Sequence, residues 1–180
     1  MKRLQCSCGT CHIVVATNPI RNREHDDTDF KEKPMKGGGF ITSKNKILLV
    51  QTGNLTWGLP KGSREDTDQT ITHTAKREIE EETGLVLDID HTQPNISNKL
   101  NDAFKYVTKG KNHYYKVEIP DLNPSMLRED VSSGIDDVTG IALIHFNCFS
   151  SLKCFNYDMR KIFSQYFRIQ LPGGRGFVPK

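Results

Sequence analysis

Arg77-Glu78-Ile79-Glu80-Glu81-Glu82-Thr83-Gly84-Leu85 is the stretch on which the reading of this chain turns. Ile71, Ala75 and Ile79 recur at i, i+4 and i+8 up to and into it, the spacing of an apolar helix face. Asp66 or Asp68 can cap that helix, and Gly84 suits the left-handed residue that ends one. At roughly 100° per residue, Glu81 lies at about 300° from Glu78 and Glu82 at about 40°. Glu78, Glu81 and Glu82 therefore share one face, and Glu80 points away. Ionised carboxylates crowded this way repel each other, and a hard divalent cation offsets the repulsion by taking several oxygen ligands at once. The preceding Trp57-Gly58-Leu59-Pro60-Lys61-Gly62 reads as a loop, since a proline and two glycines break regular structure. Such a loop can bring backbone amides, carbonyls and a lysine to the same cation. A loop and carboxylate helix of this kind suit attack of water on a phosphoric anhydride. Magnesium or manganese would bridge phosphate oxygens while a carboxylate takes the water's proton.

The segment from Gly62 to Leu85 resembles the Nudix box, G-x5-E-x7-R-E-U-x-E-E-x-G-U, where U is a bulky aliphatic residue. Arg77 to Leu85 matches the second half at every specified position, and Gly62 matches the opening glycine. The first half departs from the pattern. Asp68 stands where the first Glu is expected, and eight residues rather than seven separate it from Arg77. The resemblance implies an α/β fold, the Nudix α/β/α sandwich with a mixed central sheet. It also implies hydrolysis of a nucleoside diphosphate linked to another moiety. By motif position Glu78, Glu81 and Glu82 would be metal ligands, with the Gly62 carbonyl completing the shell. Glu78 and Glu82 would be catalytic, Glu78 as a general base, and Arg77 would orient the carboxylates through ion pairs. Many members draw the base or a further ligand from a later acid. Asp136 and Asp137, just before the apolar stretch Val138 to Phe146, are the candidates here.

Trp57 to Gly62 is similar to the W-G-F-P-K-G segment of mRNA-decapping Nudix enzymes and nearly as close to loops of dinucleoside-polyphosphate hydrolases. Lys61 is a candidate phosphate contact. Trp57 can either stack on a base or fill the edge of the core. Charge is unevenly spread under a net +3: +4 over residues 35–61, −5 over 62–100 and +5 over 151–180. The C-terminal bases are interleaved with Phe155, Tyr157, Phe163, Tyr166 and Phe167, which suits a polyanion such as RNA. The expected substrate is thus an RNA cap or a dinucleoside polyphosphate. Diphosphoinositol polyphosphates and nucleoside triphosphates are the alternatives, as is a module that binds nucleotides or RNA without cleaving them.

Working outward, Phe40–Ser43 and Ile47–Val50 read as strands behind the punctuation Gly37-Gly38-Gly39. Leu85–Ile89, Ala103–Thr108, His113–Ile119 and Val138–Phe146 also read as strands. Ser150 or Ser151 should cap a second helix with the stripe Phe155, Met159, Ile162, Phe163 and Tyr166. The expected organisation is an N-terminal arm over residues 1–35, a hydrolase domain over 36–150 and a basic helix and tail over 151–180. Cys6, Cys8 and Cys11 cluster with His12 in the arm and could bind zinc, with His12 or a remote Cys148 or Cys154 as fourth ligand. The C-x-x-C-H pattern there also matches haem attachment, which the absence of an apolar leader argues against. With 180 residues, 36% apolar, there is one real core and no run long enough to span a membrane. Five cysteines and that N-terminus suggest a cytoplasmic, reducing location.

Overall fold

The computed structural model describes residues 1–19, 35–87, 112–131 and 138–172. Its strands are β1 (Lys2–Arg3), β2 (His12–Val15), β3 (Lys36–Ser43), β4 (Lys46–Gln51), β5 (Trp57–Gly58), β6 (Lys61–Ser63), β7 (Asn112–Glu118) and β8 (Gly140–His145). Its helices are α1 (Ile71–Thr83) and α2 (Tyr157–Ile162). The described residues fall into two compact units. One holds 35–48, 59–87 and 112–128; the other holds 1–19, 49–58, 129–131 and 138–172.

The first unit is built on β3. Along one edge β3 runs parallel to β7, from Lys36 opposite Asn112 to Thr42 opposite Glu118. A parallel pair needs a crossover connection, and α1 lies in the chain between the two strands. Along the other edge β3 pairs antiparallel with β6 near its start, Gly37 facing Gly62, and with β4 near its end, Thr42 facing Ile47. The sheet is therefore mixed. Lys44, at φ 53, makes the turn into β4.

Gly37, Gly38 and Gly39 were expected as punctuation; they are strand residues instead. The reason is the closeness of α1. A Cβ on Gly37 would lie 2.7 Å from the Ala75 nitrogen and the Ile71 oxygen, and one on Gly39 would meet the Ile79 side chain at 2.6 Å. A strand with side chains there would hold the helix off. α1 buries Thr74, Ala75, Ile79 and Thr83 completely. Its N-cap is Thr70, whose hydroxyl accepts the His73 N–H at 3.2 Å, not Asp66 or Asp68. It ends as expected at Gly84, φ 77, whose N–H donates to the Glu80 carbonyl. Trp57 to Gly62, read as a loop, contains β5 and β6 on either side of Leu59-Pro60. Leu85 and Leu87 are buried and Val86 is exposed, although residues 85–87 form no strand. The expected strand at 103–108 and the end of the one at 85–89 lie outside the described residues.

The second unit contains a run of β1, β2, β8 and β4 in that order, with β5 beside the end of β4. β2 pairs antiparallel with β8, from His12 opposite Leu143 to Val15 opposite Gly140. The segment expected as an arm thus supplies two strands. Ile13 and Val14 are buried on β2, and Ile141 to Ile144 on β8. A short 3-10 stretch, Phe146–Ser151, follows β8. α2 then starts at Asn156, whose side chain accepts the Met159 N–H at 2.9 Å; Ser150 and Ser151 lie in the 3-10 stretch rather than at the cap. α2 continues as one π turn, Phe163–Phe167. Phe149, Phe155 and Phe163 pack edge to face, with ring centroids 4.9 to 5.7 Å apart. Phe155, Met159, Ile162 and Phe163 are fully buried as the stripe predicts, whereas Tyr166 is exposed.

Candidate active site

α1 carries the acids and β6 faces them. The Glu78 side chain approaches the strand so closely at Gly62 that a Cβ there would lie 2.0 Å from its carboxylate. Only glycine leaves room for that carboxylate against the backbone. One turn on, Glu82 Oε2 accepts the Lys61 backbone N–H at 2.8 Å. Glu78 and Glu82 therefore both reach the β6 backbone, at adjacent residues. Glu81, on the same helix face, is exposed.

Arg77 ties this face together. Its Nη1 lies 3.0 Å from Glu78, 2.9 Å from Glu81 and 3.4 Å from Glu65. Its Nη2 donates to the Ser63 carbonyl at 2.9 Å and to Asp68 Oδ2 at 3.0 Å, and its Nε donates to Asp68 Oδ1 at 3.3 Å. The Asp68 pairing is the fork-on-carboxylate arrangement that suits arginine and not lysine. Asp68 is buried and also accepts from the Thr74 hydroxyl and the Glu65 N–H, each at 3.0 Å. The departure in the first half of the motif therefore has a definite consequence. Asp68 is a partner of Arg77 and does not itself lie on the acid face.

Charge and burial set the protonation of these groups. The Arg77 guanidinium holds the Asp68 carboxyl well below the usual carboxylate range. Burial pushes Glu82 up to about 7, against the Lys61 N–H and the charges of Lys61 and Lys36, which favour its ionised form. Burial also raises Glu78, with Arg77 opposing. Two desolvated acids on one face would be stabilised by a divalent cation held there. Glu78, Glu81 and Glu82 offer carboxylate oxygens, hard ligands of the kind magnesium and manganese take, and would be the residues to hold such a cation.

The other expected site residues are placed as follows. Lys61 is half-buried, and its backbone rather than its ammonium makes the contact with the acid face. Trp57 is only 3% exposed, its backbone N–H donating to the Cys154 carbonyl at 2.9 Å and its ring against Gly140. That is the core-filling alternative; no stacking face is open to substrate. Asp136 and Asp137 lie outside the described residues. Arg128 was not foreseen. Its guanidinium donates to the Glu81 carbonyl and its backbone N–H to that of Thr83, so it closes the C-terminal end of α1. Nothing near it in the chain signals this, because the contact joins distant segments. A cavity of about 400 Å³ lined by Thr67, Asp68, His73, Lys76, Arg77 and Glu80 opens on the side of α1 away from Glu78 and Glu82, and holds none of the three face acids.

Comparison with known proteins gives the family and the fold. A family model described as NUDIX domain matches residues 37–137. Protein 111R of Invertebrate iridescent virus 3, proposed as a hydrolase, is 31% identical over 154 residues, 82% of this chain and 80% of that one. Among solved structures, the NUDIX domain of Shewanella oneidensis NrtR in complex with ADP ribose superposes with TM-score 0.54 at 17% identity, covering 81% of this chain and 93% of that one. A bifunctional NMN adenylyltransferase/ADP ribose pyrophosphatase from Francisella tularensis gives TM-score 0.51 at 21% identity, covering 77% of this chain. This chain spans 42% of the length of the Francisella protein.

Proposed function

The chain belongs to the Nudix family of hydrolases and has its fold, and from that premise we propose a metal-dependent hydrolase that cleaves a phosphoric anhydride bond within a nucleoside diphosphate derivative. One observation carries the location of the reaction: Glu78 and Glu82 both meet the backbone of β6, at Gly62 and Lys61. Glu78, Glu81 and Glu82 would hold magnesium or manganese, which when bound would polarise the phosphate oxygens and neutralise their charge. Arg77 is a positioning residue that keeps Glu78 and Glu81 aimed while anchored on Asp68 and Ser63. The water's proton goes to a carboxylate. Glu78 is the candidate on α1, and Asp136 and Asp137 are the candidates ahead of β8. Water adds to one phosphorus, the bridging oxygen leaves with its electron pair, and two phosphate products separate.

For the substrate we favour a nucleotide carrying a long polyanionic group, an RNA cap or a dinucleoside polyphosphate. What supports this is a solvent-facing surface on α2 and the turn after it. Tyr157, Tyr166 and Phe167 are exposed there among Arg160, Lys161 and Arg168, and Lys161 sits 5.7 Å from the centre of the Tyr157 ring. Aromatic faces among cations are what a single strand uses to stack and be neutralised. ADP-ribose, the ligand of the Shewanella domain, joins nucleoside triphosphates and diphosphoinositol polyphosphates as comparison substrates.

The test is a panel of these compounds with magnesium and with manganese, products resolved by chromatography. Glu82→Gln should lower kcat by roughly 10²- to 10⁴-fold with the circular dichroism spectrum unchanged. Undiminished turnover in both Glu81→Gln and Glu82→Gln would sink the assignment. Binding of capped RNA should weaken as salt rises, log K falling with a slope of about −0.7 per neutralised phosphate. A flat salt response removes RNA from the reading and leaves the small nucleotides.

A further inference from the structure

We propose that Cys6, Cys8, Cys11 and Cys148 form a structural zinc site, separate from the carboxylate face. Their four sulfurs lie within 4.8 Å of one another. Zinc bound tetrahedrally with Zn–S bonds of about 2.3 Å needs sulfurs about 3.8 Å apart. Cys8 Sγ is 3.5 Å from Cys6 Sγ and 3.3 Å from Cys11 Sγ, and with every pair within 4.8 Å, loading requires shifts of no more than about 1 Å. None of these pairs is a disulfide, which would bring the sulfurs to about 2.05 Å.

The ligands come from two places that the second unit's strand pairing brings together. Cys6, Cys8 and Cys11 occupy the turn between β1 and β2. Gly9, at φ 70, turns the chain there, and its N–H donates to the Cys6 carbonyl at 2.9 Å. Cys148 lies in the 3-10 stretch after β8, and β8 pairs with β2 at the near end, Leu143 opposite His12. Backbone N–H groups already point at the sulfurs: Thr10 N–H at Cys8 and His145 N–H at Cys11, each at 3.4 Å. Donors of this kind surround metal thiolates and fix their orientation. Cys6 and Cys148 are buried, Cys11 is half-buried and Cys8 is exposed, which leaves an entry path beside Cys8.

Among the three expected fourth ligands, the clustering favours Cys148. His12 belongs to β2 and is not among the clustered donors, and neither is Cys154; Cys148 completes the four. Four protein ligands close the coordination sphere, so the metal clips segments together and does no chemistry. Each thiol that binds gives its proton to solvent, so loading is favoured as pH rises.

The experiment is elemental analysis of the full chain, purified under reducing conditions without chelator. The expected result is about one zinc per chain. Replacement by cobalt should give sulfur-to-cobalt charge-transfer absorption, which a metal on the glutamate face cannot give. Cys148→Ser should lose the zinc, while His12→Ala and Cys154→Ser keep it. Should Cys148→Ser fail to fold, alkylation mapped by mass spectrometry on the unaltered chain decides instead. Cys6, Cys8, Cys11 and Cys148 should be protected together and become reactive together when a chelator is added. Three results would overturn the proposal: no zinc after incubation with the metal, an unchanged cobalt spectrum in folded Cys148→Ser, or a Cys8–Cys11 disulfide in the intact mass of the reduced preparation.

Discussion

Arg77 touches four carboxylates and one carbonyl, and the acid it grips hardest is the one that stands off the acid face. Asp68 is 5% exposed at its side chain and Arg77 22% exposed. Removing the Asp68 charge takes away Arg77's two-point partner, while Glu65, Glu78, Glu81 and the Ser63 carbonyl remain to it. Asp68→Asn should therefore cost about 1–3 kcal/mol, less than the loss of an isolated buried partner. Its pH dependence has a definite sign. A carboxyl whose folded pKa is depressed contributes stability that is fully present above its unfolded value of about 4. That stability is lost as pH falls through the lower folded value. Acid unfolding of the unaltered chain should thus steepen below about pH 4, and Asp68→Asn should show less of that slope; chemical denaturation at several pH values measures both. The shared face of Glu78, Glu81 and Glu82 was legible from spacing, because helical periodicity alone fixes it. Asp68's role was not, since a carboxylate off the helix has no period to read. Trp57 was open for the same reason: its burial depends on Gly140 and on the segment ahead of α2, far away in sequence.

At the level of elements, the glycine triplet at the start of β3 shows where local cues mislead. Glycine marks turns and also marks places where another backbone comes close, and the sequence does not say which. Here it is closeness: α1 lies on β3, and its acids reach β6 only because nothing holds the helix away. Gly37→Ala would put a methyl against the α1 backbone, which cannot yield as a flexible side chain could. We expect a loss of about 1–3 kcal/mol by thermal or denaturant unfolding. Activity should fall as well, because Glu78 and Glu82 travel with the helix. Gly84 was read correctly as the end of α1, since a left-handed cap has few other solutions. The start was misread. Thr70 and Asp68 are both capping residue types, and only the pull of Arg77 on Asp68 separates them.

Over the whole molecule, the sequence shows a motif and a charge pattern but not which ends of the chain meet. Residues 1–19 read as part of an arm because short strands next to a charged stretch have little periodicity to display. In the structure β2 lies along β8 with Ile13 and Val14 buried. Deleting residues 1–15 should leave one edge of β8 unpaired, and amide hydrogen exchange in Gly140–His145 should speed up accordingly. Unchanged protection there would mean that β2 contributes little. The same pairing bears on biosynthesis. On the ribosome, β2 is made before the acid-bearing segment and its partner β8 after it. β3, α1 and β7 can close on one another while β2 still waits. The pairing of β2 with β8 can form only once β8 has been made, which leaves the apolar β2 as a segment for chaperones to shield until then.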